Sequence, residues 1–118
     1  MIIGSGIDII EISRIESALK RWKYFEKKVF TPAEREYCSA MTCSAERFAG
    51  RFAAKEAVAK ALGSSLSWLD VEILPTSSGK PEVILHNNAA KLADGKRVYI
   101  SISHCRDYAV ASALVESI

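Results

Sequence analysis

The 118-residue sequence has few cysteines, no long apolar run and no excess of charge of one sign. Its three cysteines are an odd number without the spacing of a disulfide framework, which indicates reduced thiols and a cytoplasmic location. No apolar stretch approaches the roughly 18 residues of a membrane span, and the N-terminus lacks the features of a secretory signal. The 16 Lys and Arg residues against 14 Asp and Glu residues give a net charge of +2, which is too balanced for a protein that coats nucleic acid.

The overall composition is that of an ordinary globular domain. Hydrophobic residues make up 49% of the chain and charged residues 25%, which disfavours disorder and fibrous structure. There is no repeat, low-complexity tract or linker. We therefore predict one domain that spans residues 1–118.

Apolar periodicity predicts an α+β fold with the element order β-ααα-ββ-α-ββ. Residues 2–10 are apolar, β-branched and interrupted by two glycines, which is typical of a buried strand with a bulge or a close backbone approach. Ser13 and Glu16 fit a capping box that opens a first helix, which we expect to run to about Lys28. Thr31-Pro32-Ala33-Glu34 has the same signature and predicts a second, short helix.

The third predicted helix begins near Ser44 and ends at Leu62, where Gly63 follows. It is rich in alanine, so it can lie close against a sheet. A turn at 77–81 joins two apolar runs into a hairpin, and residues 87–93 form a short helical segment. Two final strands are expected at 98–103 and 108–115.

Asp8 lies inside an apolar run, where an ionised carboxylate is costly unless it is paired or binds a metal. On the predicted third helix, Glu56 and Lys60 are four residues apart and share a face. Ordinary interpretations stand beside a functional one. Asp8 is then a solvated aspartate at the end of a strand or the partner of a lysine, and Glu56 and Lys60 form a surface pair worth about 0.3–0.5 kcal/mol. The functional interpretation is an oxygen-lined Mg²⁺ site, completed by substrate phosphates and flanked by a lysine.

Four motifs, in this order, resemble the short bacterial holo-(acyl-carrier-protein) synthases, which are 4'-phosphopantetheinyl transferases. They are Gly6-Ile7-Asp8-Ile9; Arg51-Phe52-Ala53-Ala54-Lys55-Glu56-Ala57 with Lys60; Gly79-Lys80-Pro81; and Ser101-Ile102-Ser103-His104. The resemblance covers essentially the whole chain. It implies transfer of the phosphopantetheine arm of coenzyme A to a serine of apo acyl carrier protein. This reaction would be part of fatty acid biosynthesis.

The resemblance also implies roles for individual residues. Asp8 and Glu56 correspond to the family's Mg²⁺ ligands, and Lys60 stabilises or protonates the leaving phosphate. The serine proton passes to Glu56 or to a metal-bound water, and the sequence leaves both open. Family enzymes are typically homotrimers in which neighbouring chains share a site.

Further contacts to coenzyme A are expected from Arg47, Arg51 and His104, each with a structural role as the alternative. The family usually has a longer glycine-rich loop after the third helix than the Gly63–Ser67 segment of this chain. This departure bears on the contacts of that loop with the coenzyme and leaves the metal ligands unaffected.

The net positive charge is concentrated on the first helix. Residues 11–28 hold six basic and three acidic groups, and Arg14, Arg21 and Lys28 are predicted to form a stripe near Phe25. Acyl carrier proteins are acidic, so this stripe is a candidate docking surface, with a solvated helix face as the alternative.

Two functions of other classes compete with catalysis. One is a non-enzymatic module that docks an acidic partner, and the other is an inactive relative that retains only the fold. The presence of Asp8, Glu56 and Lys60 together favours the enzyme.

Overall fold

The computed structural model describes residues 1–118 as two antiparallel sheets and five helices. The strands are β1 (Ile2–Glu11), β2 (Val71–Pro75), β3 (Pro81–Leu85), β4 (Lys96–His104) and β5 (Tyr108–Ser117). The helices are α1 (Ile12–Arg21), α2 (Phe25–Val29), α3 (Pro32–Ser39), α4 (Ser44–Leu62) and α5 (Asn87–Leu92), with a 3-10 turn at Trp68–Asp70. None of the helices combines the length and the apolar character that a bilayer span requires.

The larger sheet has the strand order β1-β5-β4, and β2 and β3 form the predicted hairpin. In the large sheet, Asp8 is paired with Ala111, which is paired in turn with Ile102. Alternate residues of β5 are buried beneath α4, among them Ala109, Ala111 and Ala113. One face of the sheet therefore forms the core with α4, and the other face is open.

The packing of α4 on β1 is unusually close. A Cβ atom built on Gly4 would lie 2.1 Å from the carbonyl oxygen of Ala61, and one built on Gly6 would lie 2.1 Å from that of Ala57. The two glycines alternate with outward-facing residues on β1, and their partners are one turn apart on α4. The predicted close backbone approach is thus confirmed, and the register shift between Ile2 and Gly4 supplies the bulge.

The prediction that β1 is a buried strand is correct for only one of its faces. Ile7 and Ile9 point away from α4, and each is more than 60% exposed. Since side chains alternate along a strand, the even-numbered positions face the helix and the odd-numbered ones face outward.

The first helix ends earlier than predicted. It stops at Arg21, Trp22 is extended, and α2 begins at Phe25. This break places the Phe25 ring 6.2 Å from that of Phe30 and 6.4 Å from that of Phe52, within a second core cluster. A helix that continued straight would advance by 1.5 Å per residue and carry Phe25 past these rings.

The capping box expected at Ser13 is absent, whereas the one at Thr31 is present. The first N–H of α1, that of Ile12, donates to the carbonyl oxygen of Asp107 at 2.9 Å, so the helix start is satisfied by a distant loop. At α3 the Thr31 side chain accepts from the Glu34 N–H, and the Glu34 side chain accepts from the Thr31 N–H. The predicted end of α4 is also confirmed, because Gly63 adopts the left-handed conformation there.

Gly4→Ala should destabilise the fold strongly, because its methyl group would collide with a backbone carbonyl that cannot rotate away. We expect a loss of about 3 kcal/mol in the free energy of unfolding measured with urea, at the upper end of overpacking effects. Ser5→Ala is the matched control on the exposed side of the same strand. A Gly4→Ala protein as stable as this control would show that α4 and β1 can separate at little cost.

Candidate functional site

The close packing of β1 on α4 determines where Asp8 lies. Gly4 lies against Ala61 and Gly6 against Ala57, so the strand runs toward the N-terminal end of the helix. Asp8 is the next residue on the same face. Its side chain is only 18% exposed, which agrees with a carboxylate held at the edge of the core.

Lys60 approaches Asp8 from α4. Its ammonium Nζ lies 3.3 Å from Asp8 Oδ1 and donates to the carbonyl oxygen of Ile7 at 2.9 Å. This bond joins the end of Lys60 to the backbone of β1, which is an edge strand of the large sheet. Because Lys60 is more than half exposed, the ion pair itself adds little to stability.

Glu56 completes the group. Its pKa is raised above the ordinary value by partial burial and then by the Asp8 carboxylate, while Lys60 offsets part of this rise. The Glu56–Lys60 surface pair considered from the sequence does not form as a salt bridge, since Lys60 contacts Asp8 instead. The site thus holds two carboxylates that repel each other, with one lysine beside them.

This donor set fits a hard divalent cation. Two carboxylates supply oxygen ligands, and a cation between them would relieve the repulsion that raises the pKa of Glu56. No group of three or more His, Cys, Asp and Glu side chains converges anywhere in the chain. A bound Mg²⁺ would therefore take its remaining oxygens from water and substrate, as this ion commonly does.

A groove of about 510 Å³ opens beside Glu56. It is lined by Glu56 and Lys60 on one side and by the 63–66 segment and Trp68 on the other. A cleft of about 480 Å³ lies on the opposite side of Lys60, between Ser5–Ile7 and Ser112–Leu114. Lys60 thus lines both openings.

Another cleft, of about 570 Å³, lies near the N-terminal end of α4 and is lined by several carboxylates and one arginine. The acidic residues are Glu11, Glu16, Glu46 and Asp107. This lining is unfavourable for a polyphosphate. The groove beside Lys60 is therefore the better phosphate site.

Arg47, Arg51 and His104 do not lie beside the two carboxylates and Lys60 within one chain. Arg51 is almost fully buried with its guanidinium 4.7 Å from the centre of the Tyr37 ring, and it makes no hydrogen bond or ion pair. The Nε of Arg47 is likewise buried without a partner. His104 Nδ1 lies 3.6 Å from Glu46 Oε2.

The predicted basic stripe is shorter than expected. Arg14 and Arg21 are exposed on α1 and line a shallow depression together with Trp22. The break after α1 places Lys28 on a separate helix, so it does not continue the stripe. Phe25 packs inward against other aromatic rings, and the exposed aromatic residue beside the arginines is Trp22.

Sequence reasoning missed a buried ion pair that lies close to the site. Lys55 Nζ is 2.8 Å from Glu34 Oε1, and both side chains are essentially inaccessible to solvent. Burial lowers the pKa of Lys55, and the Glu34 carboxylate counters that effect. One signal was present in the sequence, because Lys55 interrupts the alanine-rich buried face of α4.

Comparison with known proteins agrees with these observations. The sequence profile of the 4'-phosphopantetheinyl transferase superfamily matches residues 4–113. The chain is 51% identical to a holo-(acyl-carrier-protein) synthase of Moorella thermoacetica over 98% of this chain and 94% of that protein. It is 42% identical to the synthase of Koribacter versatilis over 98% and 99% of the two chains.

Solved structures of such synthases are also similar to this chain over nearly its whole length. The Bacillus anthracis synthase in complex with coenzyme A (3',5'-ADP) has a TM-score of 0.85 and 39% identity, and the match covers 100% of this chain and 99% of that one. The Helicobacter pylori synthase in complex with coenzyme A has a TM-score of 0.84 and 32% identity, over 95% and 99% of the chains.

Proposed function

Because this chain belongs to the 4'-phosphopantetheinyl transferase superfamily, we propose that it transfers the phosphopantetheine arm of coenzyme A to a serine of apo acyl carrier protein. The observation that carries the proposal is the convergence of Asp8, Glu56 and Lys60 beside a groove. Holo carrier protein and adenosine 3',5'-bisphosphate are the products. The proposed place of the reaction is fatty acid biosynthesis in the cytoplasm, which agrees with three unpaired cysteines.

The reaction is a phosphoryl transfer. The serine oxygen forms a bond to the β-phosphorus of coenzyme A, and the bond from that phosphorus to the bridging oxygen breaks, so that adenosine 3',5'-bisphosphate leaves. Such reactions depend on positioning and on neutralisation of charge. A Mg²⁺ ion held by Asp8 and Glu56 would supply charge neutralisation at the pyrophosphate.

Lys60 and Glu56 supply the remaining chemistry. The Lys60 side chain is half exposed and lines both openings, so its ammonium can donate to a phosphate oxygen of the leaving group. The serine proton would pass to Glu56 or to a nearby water molecule, and the lysine would balance the charge that develops on the phosphate.

Asp8→Ala and Glu56→Ala should each lower the rate of transfer by at least about a hundredfold, the loss expected when several kcal/mol of charge stabilisation disappear. The assay is formation of holo carrier protein, followed by mass spectrometry at limiting Mg²⁺. Glu82→Ala, an exposed carboxylate on β3, is the control and should retain wild-type turnover. Wild-type turnover in either site variant would contradict the assignment.

We also propose a homotrimer in which neighbouring chains share the site. The outer face of the large sheet exposes an apolar group of Ile7, Ile9, Tyr99 and Leu114. An apolar patch of this kind marks an interaction surface. Ile7 and Leu114 also line the cleft beside Lys60, so a second chain on this face would reach the site.

A site shared between chains gives a role to the residues that lie away from Asp8 and Glu56 within one chain. Arg51 is a buried cation without an anionic partner, which favours a bound anion beside it. With a neighbouring chain packed on the sheet, Arg47, Arg51 and His104 of one chain would contact coenzyme A held at the carboxylates of another.

Leu114→Glu should break the assembly, because it places a charge at the centre of the apolar face. Light scattering should give the mass of one chain instead of three, and the specific activity should fall with it. Tyr24→Glu introduces the same charge at an exposed aromatic position on another face and should leave the mass unchanged. A wild-type protein that is monomeric and fully active at nanomolar concentration would disprove the trimer.

For the docking of the acidic carrier protein, we propose the surface formed by Arg14, Arg21 and Trp22 on α1. Two exposed guanidinium groups flank an indole that is 61% exposed, which combines attraction to an acidic partner with local apolar contact. Lys28 adds charge from the neighbouring helix. The contribution of Phe25 is indirect, since it packs inside and supports α2.

Arg14→Glu and Arg21→Glu should raise the KM for carrier protein by at least tenfold and leave the KM for coenzyme A unchanged. Charges at the rim of an interface act mainly on association, so added salt should weaken the wild type in the same direction. Lys91→Glu on α5 is the control, with equal change in charge on an exposed helix elsewhere. An unchanged KM for carrier protein in both arginine variants would identify α1 as merely a solvated helix.

A further inference from the structure

All three donors of the buried Lys55 ammonium have partners. Nζ contacts Glu34 Oε1 at 2.8 Å, donates to the carbonyl oxygen of Trp68 at 2.9 Å, and also donates to that of Val71. These two carbonyls flank the 3-10 turn at Trp68–Asp70. One helical side chain therefore holds both ends of this turn.

This turn forms part of the wall of the groove beside Glu56. Trp68 lines the groove and stacks on Phe52, with ring centres 4.9 Å apart. Glu56 follows Lys55 directly on α4 and faces the groove from the other side. The same stretch of helix thus carries one carboxylate of the site and the anchor of the opposite wall.

Glu34 connects the anchor to the rest of the fold. Its Oε1 accepts from the Thr31 N–H and its Oε2 accepts from the Ile73 N–H, both at 2.8 Å. Glu34 belongs to α3 and Ile73 to β2, so this carboxylate fixes Lys55 relative to both elements. Without Lys55, the buried carbonyls of Trp68 and Val71 would lack a donor, which favours local opening.

We propose that Lys55 and Glu34 are positioning residues for coenzyme A, because they hold the Trp68 wall of the groove in the binding-competent conformation. The inference rests on the proposed function, since it takes the groove as the coenzyme site. It assigns no contact with the substrate to either residue. When only a fraction of molecules has the wall in place, the apparent affinity falls by that fraction.

The test separates positioning from stability by means of two variants. Lys55→Met leaves a buried carboxylate without its cation and should lower the melting temperature markedly. The double variant Lys55→Met/Glu34→Gln removes both charges, so part of the lost melting temperature should return. The recovery should be incomplete, because glutamine has one acceptor oxygen for the two backbone N–H groups that bond to Glu34. Because the carbonyls of Trp68 and Val71 remain without a donor, the KM for coenzyme A should stay at least tenfold above that of the wild type.

Further readouts distinguish this effect from general destabilisation. In the double variant, kcat should change less than threefold and the KM for carrier protein less than twofold. Acrylamide quenching of Trp68 fluorescence, measured in a Trp22→Phe background, should increase. Val115→Ala is the control, because it removes buried volume in β5 and should lower the melting temperature without changing the KM for coenzyme A.

Recovery of the wild-type KM for coenzyme A together with stability in the double variant would overturn the inference. If neither variant folds, hydrogen exchange of the wild type tests the inference instead. The Asp70 amide donates to the Ser67 carbonyl, and we expect it to exchange only when α4 also opens. Separate, easier opening of this amide would contradict the inference. Absence of transfer by the wild type would instead refute the proposed function. The quenching and exchange results would still show whether Lys55 and Glu34 hold the Trp68 wall in place.

Discussion

The contact on which the rest of this structure depends is the close approach of β1 to α4. Gly4 and Gly6 leave no room for a side chain between the strand and the carbonyls of Ala61 and Ala57. Since the strand is fixed at two points one helical turn apart, the next inward residue, Asp8, has a defined position relative to Glu56 and Lys60. The carboxylates are therefore placed by backbone packing, which is more rigid than placement by a loop.

Two lysines on α4 illustrate how burial assigns different roles to the same side chain. Lys55 is inaccessible to solvent, and each of its donors is used by the fold. Lys60 is half exposed, forms a weak pair with Asp8 and lines both openings of the site. The first lysine can thus serve only the architecture, whereas the second remains available to a phosphate.

The sequence predicts much of this fold because many of its signals are local. The capping box at Thr31, the left-handed Gly63 after α4 and the β2–β3 hairpin each depend on neighbouring residues, and each is confirmed. The glycines of β1 and the alanine-rich sequence of α4 each predict a close approach, although the contact that joins them is between residues far apart in the chain. Local signals in the sequence therefore predict most of the helices and strands that surround the site.

The errors have a common cause, which is contact between residues far apart in the chain. The start of α1 is satisfied by the carbonyl of Asp107, so the local Ser13 signal is not used. The break at Trp22 follows from the packing of Phe25 against Phe30 and Phe52. The Lys55–Glu34 pair joins residues 21 positions apart, and no periodicity of either helix predicts it.

We expect this packing to create a cation site at Asp8 and Glu56, which diffraction from crystals soaked with Mn²⁺ and coenzyme A can reveal. Mn²⁺ takes the same oxygen ligands as Mg²⁺ and is visible by its anomalous signal. We predict an anomalous peak in ligand contact with both carboxylates and with a pyrophosphate oxygen of the coenzyme. A coenzyme bound elsewhere, or a peak that contacts neither carboxylate, would contradict the account.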